Sequence, residues 1–210
     1  MKPRWKIVLT VLATIFAFCN KPGPQFVPAD EQFLRKPADR LTVDEMKKMR
    51  ALVKTDYGDF TIGFHPDQAP QLCRNFIKLI EQGFYDQLTF HLIVPNYMII
   101  TGDPTGNGTG GPGYWLKLEI NSLPHRRGAV GMSHPPFSPD QLGSQFYVML
   151  SQSFKESNAY PVFGYVERGM DVCDRIGEIK TNGAAGKPRP WTPQTAVKVR
   201  DIVLLVEESR

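Results

Sequence analysis

Residues 90–113 read FHLIVPNYMIITGDPTGNGTGGPG and hold the densest run of groups suited to binding chemistry. Phe90, Ile93, Val94 and the stretch 97–100 are rich in β-formers, and the glycines that follow alternate with small polar residues. An apolar strand running into a glycine loop makes a wall and a rim, because glycine lets a ligand approach the backbone closely. The loop contains G-x-G-x-x-G at 106–111. A dinucleotide site needs a helix to start at the last glycine, so that its N-terminus faces the pyrophosphate. Pro112-Gly113 follows instead, which argues against nucleotide binding. Asn107-Gly108-Thr109 is a glycosylation sequon, of consequence only in a eukaryotic secretory pathway. His91 stands alone and is read as structural. Cys19, Cys73 and Cys173 lack metal-ligand spacing, and no metal or cofactor is expected.

The elements that must position this stretch follow in chain order. Residues 51–55 and 60–64 are short β-type runs joined by Asp56-Tyr57-Gly58-Asp59, a hairpin signal. A turn at 66–70 leads to a helix over 71–82, where Leu72, Phe76, Ile77, Leu79 and Ile80 make one apolar side and Gly83 supplies the stop. Residues 169–179 read as a second helix, with Met170, Cys173 and Ile176 on one side, and 197–207 as a closing strand. Cys73 and Cys173 fall in the two helical segments and read as small buried apolar residues. Whether a disulfide joins them is not legible from sequence. Many short strands between Gly and Pro turns, with two helices, predict a mainly β, closed antiparallel barrel of about eight strands.

The chain of 210 residues is 41% hydrophobic and 22% charged, a composition that supports one packed domain with short additions. Its formal charge of +4 falls to +1 once Lys2, Arg4 and Lys6 are set aside, too little for a nucleic-acid surface. Those cations precede the 12-residue apolar run 7–18, the pattern of an export signal and too short to read as a membrane span. Residues 1–19 are expected to be a signal peptide or, with Cys19 lipidated, a lipoprotein signal, an uncleaved anchor being the third alternative. Each places the domain in the periplasm or on the outer side of a membrane. Pro22, Pro24, Pro28 and Pro37 mark residues 20–48 as a partly extended tether. Within it, Thr42-Val43-Asp44-Glu45 carries a capping box that can start a short helix. The folded domain is expected over 49–208, as a monomer.

Phe90, His91, Pro95, Met98, Gly102, Asp103, Pro104, Thr105, Gly106, Gly108, Thr109, Gly110 and Gly111, with Gly143-Ser144-Gln145-Phe146-Tyr147, resemble the signature of the cyclophilin-type peptidyl-prolyl isomerases. His125-Arg126-Arg127-Gly128-Ala129-Val130-Gly131-Met132-Ser133 is similar to a further family segment, especially in bacterial members. The resemblance implies a cyclophilin barrel that binds proline-containing polypeptides and rotates X-Pro amides. That rotation meets a resonance barrier of ~18–20 kcal/mol and makes or breaks no covalent bond. In the family an arginine donates to the proline nitrogen as resonance is lost, with a glutamine beside it. By the resemblance those positions are Leu92 and Ile100, so catalytic residues stay unassigned and activity is expected to be reduced. The resemblance places peptide-binding groups at Tyr97, Met98, Ser133, His134, Gln145, Tyr147 and Tyr160. Ser133-His134-Pro135-Pro136 departs from the family pattern, and two prolines remove two backbone donors there. Arg126 and Arg127 read as solvated charges at a turn. A non-catalytic proline-peptide or partner-binding module, or a tethered envelope scaffold, is the alternative.

Overall fold

The computed structural model describes residues 24–29, 36–135, 141–152, 160–187 and 189–207. The expected signal at 1–19, with Cys19, lies outside the described residues. Nine antiparallel strands form one sheet: β1 (Phe26–Pro28), β2 (Met49–Thr55), β3 (Gly58–Phe64), β4 (Leu92–Val94), β5 (Met98–Thr101), β6 (Ala129–Met132), β7 (Phe146–Met149), β8 (Val162–Arg168) and β9 (Val199–Glu207). Their spatial order is β1-β9-β2-β3-β8-β6-β7-β5-β4. No ladder joins β4 to β9. That gap is spanned by the Thr89–Lys198 bridge and by hydrogen bonds from Phe90 N to Val197 O (3.0 Å) and from Val199 N to Leu88 O (2.7 Å). The sheet is therefore barrel-like, as expected, but it has nine strands and comes round on itself through this bridge, where the pattern predicts about eight strands and full closure.

The helices are α1 (Val43–Lys47), α2 (Pro70–Glu81) and α3 (Met170–Gly177). Pro70 occupies the first turn of α2, where its missing N–H costs nothing. The cap comes from far along the chain: the Glu119 carboxylate accepts from Gln71 N at 3.1 Å and Leu72 N at 3.0 Å. An acidic group at this end also favours the helix dipole. Gly83, at φ 63°, ends the helix in the left-handed conformation. The apolar side of α2 is buried inside the wrapped sheet. Phe76 is the hub, its ring within 5.0–5.1 Å of those of Phe163, Tyr85 and Phe146. Burying a side chain of that size stabilises the fold by roughly 2–3 kcal/mol. Cys73 and Cys173 are both buried and free.

Of the expected tether 20–48, the described residues 24–29 and 36–48 carry more structure than an extended chain. Phe26, Val27 and Pro28 pair with Glu207, Val206 and Leu205 of β9, and the Arg50 guanidinium lies 4.8 Å above the Phe26 ring. The capping box at Thr42 forms with both reciprocal hydrogen bonds. Ala38, Leu41 and Met46 then enter the core. Ala29 and Val43 pack against the same core.

Candidate active site

The residues 90–101 form a hairpin. Tyr97 N donates to Val94 O at 3.0 Å, and the turn between carries Pro95 and Asn96, the latter at φ 58°. Proline presets the first corner and asparagine tolerates the left-handed second one. The turn reverses the chain so that β4 and β5 lie side by side, and β5 continues onto β7 and β6.

Strand alternation now sorts the side chains. Ile93, Ile99, Val148 and Val130 point inward and are fully buried. On the opposite face, registers Leu92↔Ile100, Ile100↔Tyr147 and Tyr147↔Gly131 make one row across four strands. A second row, Val94–Met98–Met149, runs beside it. Ala129, Tyr147, Met149 and Val162 form a buried cluster on this outer face, with Tyr97, Met98, Ile100 and Tyr160 packed against it. The molecule thus has a second, smaller apolar centre outside the wrapped core.

The pocket's aromatic wall is locked from several directions. A methyl carbon at Gly131 would lie 2.3 Å from Tyr147 Oη and 2.4 Å from Cζ, so the ring lies across this glycine. Tyr147 Oη donates to Tyr160 O at 3.1 Å, and His125 Nε2 is 2.6 Å from the same carbonyl. The His125 ring stacks near Tyr147 (17° between planes), and Tyr147 meets Tyr160 edge-on. Burial raises the Tyr147 phenol above its ordinary pKa, so it stays neutral. His134 stacks on Tyr160 at 4.7 Å and 15°, and its Nδ1 is 2.9 Å from Pro135 O. The Tyr97 carbonyl accepts from Leu150 N at 2.8 Å, anchoring the turn to the end of β7.

The glycine loop is built round Asp103, which is 1% exposed. Its carboxylate accepts from Thr105 N (2.7 Å), Asn107 N (2.8 Å), Gly110 N (3.1 Å) and also Gly108 N. Burial alone would raise its pKa, but these hydrogen bonds outweigh burial and hold it below the usual value. The loop's backbone N–H groups therefore point at a carboxylate of the same chain, consistent with the argument against a nucleotide. Gln145 Nε2 donates to Gly110 O at 2.9 Å, tying this loop to β7.

Of the residues anticipated from sequence, Tyr97, Met98, Tyr147 and Tyr160 share the outer cluster, and His134 joins through Tyr160. Ser133 and Gln145 are buried neighbours, Ser133 N donating to Gln145 O at 2.8 Å. Leu92 and Ile100 stand side by side, half-buried. Neither arginine is simply solvated. Arg127 pairs with Asp174 and donates to Leu150 O at 2.9 Å, while Arg126 lies 4.9 Å above the Tyr165 ring. His125 was not anticipated, because its 22-residue separation from Tyr147 gives no periodic signal. His91 is 6% exposed, and burial lowers its pKa to about 4, so it is neutral at neutral pH.

Residues 50–201 match the family model for cyclophilin type peptidyl-prolyl cis-trans isomerase/CLD. The chain belongs to the cyclophilin-type peptidyl-prolyl cis-trans isomerases. Peptidyl-prolyl cis-trans isomerase-like 1 of Aspergillus oryzae is 39% identical over 132 residues, covering 61% of this chain and 82% of the relative. A peptidyl-prolyl cis-trans isomerase of Synechococcus elongatus is 38% identical over 139 residues, covering 62% and 94%. A Cryptosporidium parvum cyclophilin-type isomerase, solved in the presence of the dipeptide Ala-Pro, superposes with a TM-score of 0.65 at 28% identity. That match covers 77% of this chain and 99% of the other. The outer cluster is thus the candidate site of a cyclophilin. Among the described residues no cluster of His, Cys, Asp or Glu could hold a metal ion, and no helix is long and apolar enough to cross a membrane.

Proposed function

We propose that this cyclophilin binds X-Pro segments of exported polypeptides on the outer face of β4, β5, β7 and β6 and turns them over slowly. The observation that carries this reading is the row Leu92–Ile100–Tyr147–Gly131, an apolar strip beside an aromatic pocket. The Ala-Pro dipeptide used with the Cryptosporidium relative supports proline as the ligand. The basic-then-apolar start of the chain supports export.

The chemistry follows from amide resonance. A planar amide carries separated charge, which water stabilises; the twisted state has lost resonance and with it much of that charge. A proline seated against Tyr97, Met98 and Tyr147 leaves water on that side, so the planar state loses more solvation than the twisted one. What the strip lacks is a donor for the lone pair that appears on the proline nitrogen. Leu92 and Ile100 occupy the positions that the family resemblance gives to arginine and glutamine. Loss of one preorganised donor costs on the order of 10²–10³ in rate. Binding without turnover is the second reading, and the same two side chains favour it.

Cis/trans exchange measured by NMR on a short Ala-Pro peptide separates the two. Exchange above the uncatalysed rate supports slow turnover. Shifts at Met98 and Tyr147 without faster exchange leave a binding module, and no shift there refutes both.

A further inference from the structure

The outer face is apolar well beyond what proline needs. Tyr147 lies over Gly131, Ile100 is one strand spacing away on β5, and Leu92 one more on β4. Adjacent strands are about 4.8 Å apart. Consecutive Cα atoms of a peptide are about 3.8 Å apart across a trans bond and about 2.9 Å across a cis bond. For a peptide that crosses these strands with its proline at Tyr147, the adjoining residue falls over Ile100, and a long side chain reaches Leu92. Both are half-buried and wholly apolar, and Val94 and Met98 continue the same surface in the next row. Two polar groups of this region already have partners: Gln145 Nε2 is bound to Gly110 O and Tyr147 Oη to Tyr160 O.

We propose that Leu92 and Ile100 are specificity-determining residues that select a large apolar side chain directly flanking the proline. This rests on the outer face being the X-Pro site. Covering half-buried apolar surface with a Leu or Phe side chain instead of Ala removes one to two methylene equivalents more from water. The affinity gain is about tenfold. Charged flanking residues gain nothing, since among the described residues the strip Leu92–Ile100–Tyr147–Gly131 carries no charged group.

The test is an amide-shift titration of the protein with capped peptides Ala-Xaa-Pro-Ala and Ala-Pro-Xaa-Ala, where Xaa is Ala, Leu, Phe, Glu or Lys. Leu and Phe should bind about tenfold more tightly than Ala in one of the two orders, with Glu and Lys no tighter than Ala. In Leu92→Ala and Ile100→Ala the Leu-to-Ala ratio should fall toward one. The peptide series on the unaltered protein keeps the test independent of how the variants fold. Equal affinity across the series while Ala-Pro still shifts Met98 and Tyr147 overturns this inference and leaves the X-Pro site standing. A preference that survives both substitutions also overturns it. Failure of every peptide to shift the outer face overturns both.

Discussion

Gly131 gives the sharpest test of how the pocket is built. Replacing it by Ala sets a methyl carbon 2.3 Å from Tyr147 Oη, 2.4 Å from Cζ and 2.7 Å from Cε1. None of these separations is tolerable, so the ring must leave the sheet. Overpacking of this kind costs typically 1–3 kcal/mol. The hydrogen bond from Tyr147 to Tyr160 O contributes about 1 kcal/mol more. Tyr160, which meets the ring edge-on, can shift with it and give part of this back, so we expect a loss of about 2 kcal/mol. For a chain of this size that is a melting temperature lower by about 4–8 °C. A displaced ring would also intrude on the proline seat, so Ala-Pro shifts should weaken together with stability. The control is Tyr147→Leu, which removes the three clashing atoms. In that background Gly131→Ala should cost under about 0.5 kcal/mol, a coupling of about 1.5 kcal/mol in a double-mutant cycle read by thermal or urea unfolding. Equal costs in both backgrounds would refute the argument.

Three further outcomes are expected. Leu92→Arg combined with Ile100→Gln should raise cis/trans exchange by about 10²–10³, and Leu92→Arg alone by less, since nothing would orient the guanidinium; a folded double variant with an unchanged rate would show that the missing donor is not the deficit. His91 keeps its proton off down to about 4 in the folded chain, whereas the unfolded chain takes one near 6.5. The unfolded state then binds more protons below 6.5, so the contribution of His91 is full above that pH and lost as pH falls toward 4. Its slope is about 1.4 kcal/mol per pH unit, and urea midpoints of His91→Gln between pH 6.5 and 5 should be flatter than those of the unaltered protein. Asp103→Asn should cost about 2–3 kcal/mol, since the amide keeps one oxygen and turns an NH2 toward the loop N–H groups on the other side, measured by urea unfolding at neutral pH. The depressed pKa of Asp103 gives the matching sign: its stabilisation is present above the usual carboxylate value and disappears as pH falls through the lowered one.

The helices, the 56–59 hairpin and the barrel architecture were legible because each carries a local signal: a 3.6-residue period, a tight turn, or a glycine stop. The 90–101 hairpin was not separated into β4 and β5. Leu92, Val94, Met98 and Ile100 are as apolar as Ile93 and Ile99, so alternation is invisible when both faces of the sheet are covered by apolar side chains. β1 has three residues and a proline, and its strand character comes wholly from pairing with β9. At the site, residue types were readable but partnerships were not. His134 meets Tyr160 and His125 meets Tyr147 only after the chain has folded. Gln145, a natural groove contact by type, has its amide committed to Gly110 O.

The place of β9 between β1 and β2 has a consequence for how the chain comes to be folded at all. The last strand is the middle member of that trio: Met49 pairs with Val206 and Val53 with Ile202, while Phe26 pairs with Glu207. A chain emerging from its N-terminus has β2 and β3 ready as a local hairpin, but β2's other edge stays bare until Val199–Glu207 arrive. β1 has nothing to join before then. Pairing across so long a stretch of sequence must pay its loop-closure entropy first, so assembly is slow and late. Until β9 docks, an apolar strand edge is open to any other chain nearby.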